Sequence, residues 1–66
     1  LHDYSREFLE KLKRSGQTVN IHVIGLARIA DDVSADLASS TIASVSVLGA
    51  FQASSAVKAA LSDRFS

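Results

Sequence analysis

Hydrophobic and polar positions divide the chain into three stretches of different rhythm. In the first, Leu1, Tyr4, Phe8 and Leu12 recur at helical spacing with Leu9 beside them, and Arg6, Glu7, Glu10, Lys11 and Lys13 supply the polar side. This pattern predicts an amphipathic helix over residues 3–14. Glu7 and Lys11 form an i,i+4 pair in the favourable order, and the basic residues fall in the last turn, where they complement the helix dipole. Ser15-Gly16 supplies the stop, with Gly16 able to take the left-handed cap conformation.

The second stretch carries two periods at once. Residues 18–24, TVNIHVI, alternate apolar and polar as a half-buried strand does. Val19, Val23, Leu26, Ala30, Val33 and Leu37, however, follow a 4-3-4-3-4 spacing, which reads as a heptad stripe. Gly25 interrupts such a helix at a cost of only about 1 kcal/mol. A strand needs neighbours that the chain scarcely offers. The longer period is preferred, and the prediction is a central helix.

The third stretch contains 21 consecutive residues without a charge, from Leu37 to Val57. As a helix it would be roughly 31 Å long, near the thickness of a bilayer's hydrocarbon core. Ser, Ala and Gly dominate it, so insertion into lipid is marginal and close helix packing is an equal use for it. Ser39-Ser40 offer an N-cap, and a third helix is predicted after them. Val47, Phe51, Val57, Leu61 and Phe65 would share one face, and Ser46, Ala50 and Ser54 would form a ladder of small residues. The candidate interaction face is therefore Val47, Ala50, Phe51, Ser54, Val57 and Leu61.

At 66 residues without cysteine, the chain can form one small domain that disulfides cannot brace. It begins at Leu1 without Met, and residues 1–66 are expected to be a single helical domain taken from a larger protein. Seven basic and seven acidic residues cancel. The one basic cluster, Lys11, Lys13 and Arg14, extends into no basic stripe, so no nucleic-acid partner is expected. A weak anionic-membrane contact by that cluster, beside Tyr4 and Phe8, is the other use for it.

Candidate chemistry is sparse. Asp31, Asp32 and Asp36 lack the number of oxygen ligands that a hard cation wants, and they read as a solvated acidic face. His22 has no carboxylate or thiol nearby in sequence, and the serines sit in no nucleophile elbow. No catalytic, cofactor-binding or metal-binding residue is assigned, and no enzyme activity is expected.

The string LARIADDVSADLASSTIASV, residues 26–45, resembles the central stretch of the apolipoprotein L family at Leu26, Ile29, Ala30, Asp31, Val33, Thr41, Ile42, Ala43 and Val45. The resemblance implies an all-helical, lipid-interacting protein in which an amphipathic helix precedes a membrane-inserting hairpin. Gln52, Lys58 and Asp63 depart from the family's longer hydrophobic hairpin. The combined expectation is all-α: a small helical bundle or hairpin with a short amphipathic N-terminal helix. Its job would be association with another helix, as a homo-oligomer or within a parent or partner chain. Association with a lipid surface is the alternative.

Overall fold

The structure, a computed structural model, describes residues 1–66 and is not all-α. Strand β1 (His2–Tyr4) is followed by α1 (Arg6–Arg14), β2 (Val19–Ile29), α2 (Ala35–Thr41), β3 (Ile42–Gln52) and α3 (Ser55–Ala60). The strands form one sheet in the order β1-β2-β3, and every pairing is parallel. Helices α1 and α2 are the crossovers of two successive βαβ units, as parallel neighbours require.

The first helix lies where the amphipathic pattern puts it. Ser5 caps it by accepting from the Phe8 amide at 3.1 Å, and Gly16 follows its end at φ +68°. Of its apolar residues only Leu9 is completely buried. Ser34 and Ser54 repeat the Ser5 arrangement at α2 and α3, accepting from Leu37 and Val57 three residues on.

The central helix expected over residues 19–37 is instead a long strand, a loop and the start of α2. Local alternation prevails over the heptad stripe because β1 and β3 supply the hydrogen-bonding neighbours that the sequence did not reveal. Ile21, Val23, Ala27 and Ile29 point into the core, while Asn20, His22, Ile24 and Arg28 between them are exposed. The third predicted helix fails in the same way. Residues 42–52 run as β3 beside β2, with Val45 facing inward and Ser44 opposite Asn20. Only the last part of that stretch, α3, is helical.

The core is one cluster: Leu9 from α1, Ile21, Val23, Ala27 and Ile29 from β2, Val33, Leu37 and Ala38 around α2, Ile42 and Val45 from β3, and Val57 of α3 with its C-cap Leu61. Thr41 is buried among them, and its hydroxyl donates to the Leu37 carbonyl at 2.7 Å. After α3 the chain returns to the sheet. The Val45 amide donates to the Arg64 carbonyl and the Ser66 amide donates to the Val45 carbonyl, which lays Phe65 beside β3. The Arg64 guanidinium donates to the carbonyls of Ser39 and Ile42, anchoring this return to the end of α2.

Candidate nucleic-acid interface

The burial alternation has a direct consequence. Ile21, Val23, Ala27 and Ile29 of β2 share one core with Leu9, Leu37, Ala38 and Val57 of the helices, and the alternate positions of β2 are exposed or half-buried, so the helices cover one face of the sheet and the other is bare. The bare face has polar ends and an apolar centre. At one end the Ser44 hydroxyl donates to the Asn20 amide oxygen at 2.7 Å, and at the other Arg28 Nε donates to Asp3 Oδ1 at 2.8 Å. Between them stand Ile24 and Leu48, opposite each other in register and 79% and 71% exposed.

At the centre of both strands lie Gly25 and Gly49, register partners with φ of +119° and +139°. A Cβ on Gly49 would stand 2.1 Å from the Gly25 carbonyl oxygen, so the two backbones approach as only glycine allows.

The charges are distributed unevenly. Arg6 lies 4.0 Å from Glu10 and 3.7 Å from Asp32, Arg28 is paired with Asp3, and Arg64 with Asp63. Lys11, Lys13 and Arg14 in the last turn of α1 form no ion pair, and all are exposed. The groove between α1 and α2, about 530 Å³, is lined by Arg6, Lys13 and Arg14 but also by Glu10, Asp32 and Asp36. Its mixed charge makes it a poor cradle for a free anion. The cationic turn instead projects at the end of the sheet where β2 begins, joined to it by the exposed loop Ser15–Thr18. In that loop the Ser15 hydroxyl donates to Gln17 Oε1 at 3.1 Å and leaves the Gln17 amide nitrogen free to donate.

The residues expected to form one interaction face are divided. Val57 and Leu61 are core, and Val47 and Phe51 pack against that core from β3. Phe51 meets Phe65 edge-to-face at 5.4 Å. Ala50 is exposed on β3, paired in register with Leu26, and Ser54 is the N-cap of α3. No group of three or more His, Cys, Asp or Glu residues is placed to hold a metal ion. No helix is long and apolar enough to cross a membrane.

The family whose sequence model matches, over residues 1–58, is described as the ribbon-helix-helix transcriptional regulator family. The chain belongs to it. Comparison with curated proteins and with solved structures gave no match. The family's name describes a ribbon followed by two helices. Here β1, α1 and α2 come in that order, with β2 between the helices and β3 and α3 after them.

Membership corrects the apolipoprotein L likeness: residues 26–45 span the end of β2, a loop, α2 and the start of β3, and carry no helical hairpin. It also overturns both functional expectations, the helical association module and the lipid-binding segment, and with them the helix or lipid surface expected as partner. Excluding nucleic acid does not stand either, since the family is one of transcriptional regulators. The cancelled net charge hides that ion pairing engages Arg6, Arg28 and Arg64, while Lys11, Lys13 and Arg14, clustered in one turn, and Lys58 on α3 form no ion pair. A family of regulators is not a family of enzymes, and the expectation of no catalytic activity agrees with it.

Proposed function

We propose that this chain is a DNA-binding transcriptional regulator that meets duplex DNA with the C-terminal turn of α1 and the loop leading into β2. The observation that carries this reading is the family match over residues 1–58. The local chemistry supports it. Lys11, Lys13 and Arg14 are exposed cations with no carboxylate to satisfy them, as phosphate contacts require. Next to them stand Gln17 and Thr18, exposed side chains of the kind that contact base edges, with Gln suited to adenine. The cations fix position on the backbone, and the loop reads sequence.

The test is binding of the chain to duplex DNA by fluorescence anisotropy over a range of salt concentrations. Each phosphate contact contributes roughly −0.9 to the slope of log K against log salt. Replacing Lys11, Lys13 and Arg14 together by Gln should flatten that slope by roughly 2 to 3 per bound copy. Replacing Gln17 by Ala should leave the slope unchanged and reduce discrimination between sequences. A triple variant that binds with the wild-type slope sinks the assignment of the phosphate contacts.

A further inference from the structure

We propose that the outer edge of β3, from Val47 to Phe51, is a docking site for an extended, uncharged segment of a partner protein, which joins the sheet as a parallel fourth strand. The sheet ends with β3 in the order β1-β2-β3. Beyond it lies only the C-terminal return, which pairs with one of its eleven residues, Val45 opposite Phe65. There the Val45 amide donates to the Arg64 carbonyl, and the Val45 carbonyl accepts from the Ser66 amide. Both backbone groups of Val45 therefore face away from β2. Strand geometry repeats every two residues, so Val47, Gly49 and Phe51 turn their amides and carbonyls the same way. No strand receives them.

Nothing in the sequence defends this edge. Natural sheets blunt exposed edges with charges, proline, bulges or brevity. The opposite edge follows that rule, since β1 is three residues long and carries Asp3, paired with Arg28. By contrast β3 has neither charge nor proline and lies within the charge-free run from Leu37 to Val57. Its only register shift falls beside Val19, and from Ser44 to Gln52 it pairs with β2 without interruption. The charge-free run has no part in DNA binding; an edge kept open for pairing gives it one.

The occupant follows from the return. Residues 64–66 already run parallel to β3, so a segment continuing their line meets Val47, Gly49 and Phe51 in the same direction. Main-chain hydrogen bonds supply the affinity of such strand addition, and alternate side chains supply the specificity. On the outer side those side chains lie beside Ser46, Leu48 and Ala50, all uncharged. On the inner side they approach Phe51 and the exposed Phe65, which meet edge-to-face at 5.4 Å. Uncharged β-branched residues suit both sides. A second copy fits poorly. Two-fold pairing of β3 edges is antiparallel and, centred on Gly49, sets Val45 of one copy opposite Ala53 of the other. The Arg64–Ser66 return already occupies that place.

The experiment is a backbone NMR titration of the full chain, without DNA, with a capped synthetic hexapeptide of alternating Val and Thr taken to millimolar concentration. Shifts are expected along residues 46–52. Amide exchange should slow about tenfold at Val47, Gly49 and Phe51 and stay unchanged at Ser46, Leu48 and Ala50, whose amides face β2. A spin label at the peptide's N-terminus should broaden Val47 before Phe51, and one at its C-terminus should do the reverse. The same peptide with every backbone nitrogen methylated keeps its side chains and should not bind. Absence of shifts, shifts confined to the β1 edge or the bare face, binding of the methylated peptide, or an inverted spin-label pattern each overturns the proposal. So does protection at Val47–Phe51 that rises with chain concentration alone, since it assigns the edge to a second copy. None of these readouts involves Lys11, Lys13, Arg14 or Gln17, so the DNA-binding reading stands or falls separately.

Discussion

Gly49→Ala should nearly unfold the chain, whereas Gly25→Ala, at the register partner, should only weaken it. Both glycines have positive φ, +119° at Gly25 and +139° at Gly49, and an L-residue held there costs about 1–3 kcal/mol. The two differ in what a methyl group would meet. At Gly25 no heavy atom lies within 4 Å of the added Cβ. At Gly49 the Cβ would stand 2.1 Å from the Gly25 oxygen and 2.8 Å from its carbonyl carbon. Ordinary C···O contact begins at roughly 3.3 Å, so the strands must part by about 1 Å. Parting weakens the ladder on both sides of the pair, where each hydrogen bond contributes about 1 kcal/mol net. The total for Gly49→Ala is then about 3–5 kcal/mol, against an overall stability of roughly 3–10 kcal/mol for a chain of this length. Urea unfolding followed by circular dichroism gives the comparison. With a slope near 1 kcal/mol per molar, Gly49→Ala should unfold about 2 M earlier than Gly25→Ala. Equal midpoints for the two variants would refute the close approach of β2 and β3 at this pair.

Arg64→Leu should cost about 2–4 kcal/mol, since the guanidinium donates to the Ser39 and Ile42 carbonyls and the Ser39 hydroxyl; Arg64→Lys should recover part of this, and thermal melts measure both. Ser34→Ala removes the cap of α2 and should lower stability by about 1 kcal/mol in the same assay. Burial raises the Tyr4 phenol above its ordinary value of 10.0. Tyr4 therefore stays neutral in the folded chain at pH values where the unfolded chain has begun to ionise. Its contribution is complete below pH 10.0 and is lost as pH rises through the folded value, so Tyr4→Phe should show a smaller alkaline loss of stability than wild type.

The parts of the fold legible in the sequence were those set by local chemistry. Helix α1 was readable because its apolar spacing, its basic last turn and Gly16 all agree. Strand β2 shows as alternation in TVNIHVI beside a competing heptad stripe, and what decides between them, the strand's partners, is remote in sequence. Strand β3 was hidden most thoroughly. Its outward positions are Ser44, Ser46, Leu48, Ala50 and Gln52, among which Ser44, Ser46 and Ala50 are small residues that suit helix packing and Leu48 is apolar, so only Val45, Val47 and Phe51 on the inner side keep the two-residue rhythm. The added residue Ala43, at the register shift beside Val19, breaks that rhythm just where Ile42 begins it. The caps are only partly legible: Ser39-Ser40 look like a helix start but lie inside α2, whereas Ser5, Ser34 and Ser54 are the N-caps. At the candidate interface the basic cluster itself was evident. What composition could not reveal is which cations remain unpaired, because the partners of Arg6 and Arg28 come from Asp32 and Asp3, far along the chain.

The most direct test of DNA binding through α1 is a backbone NMR titration of the chain with a short duplex at low salt. Progressive shifts are expected at residues 11–18, led by Lys11, Lys13, Arg14 and Gln17, and they should weaken steeply as salt is raised. Shifts confined to α3 and the C-terminal return, or none at low salt, would contradict it.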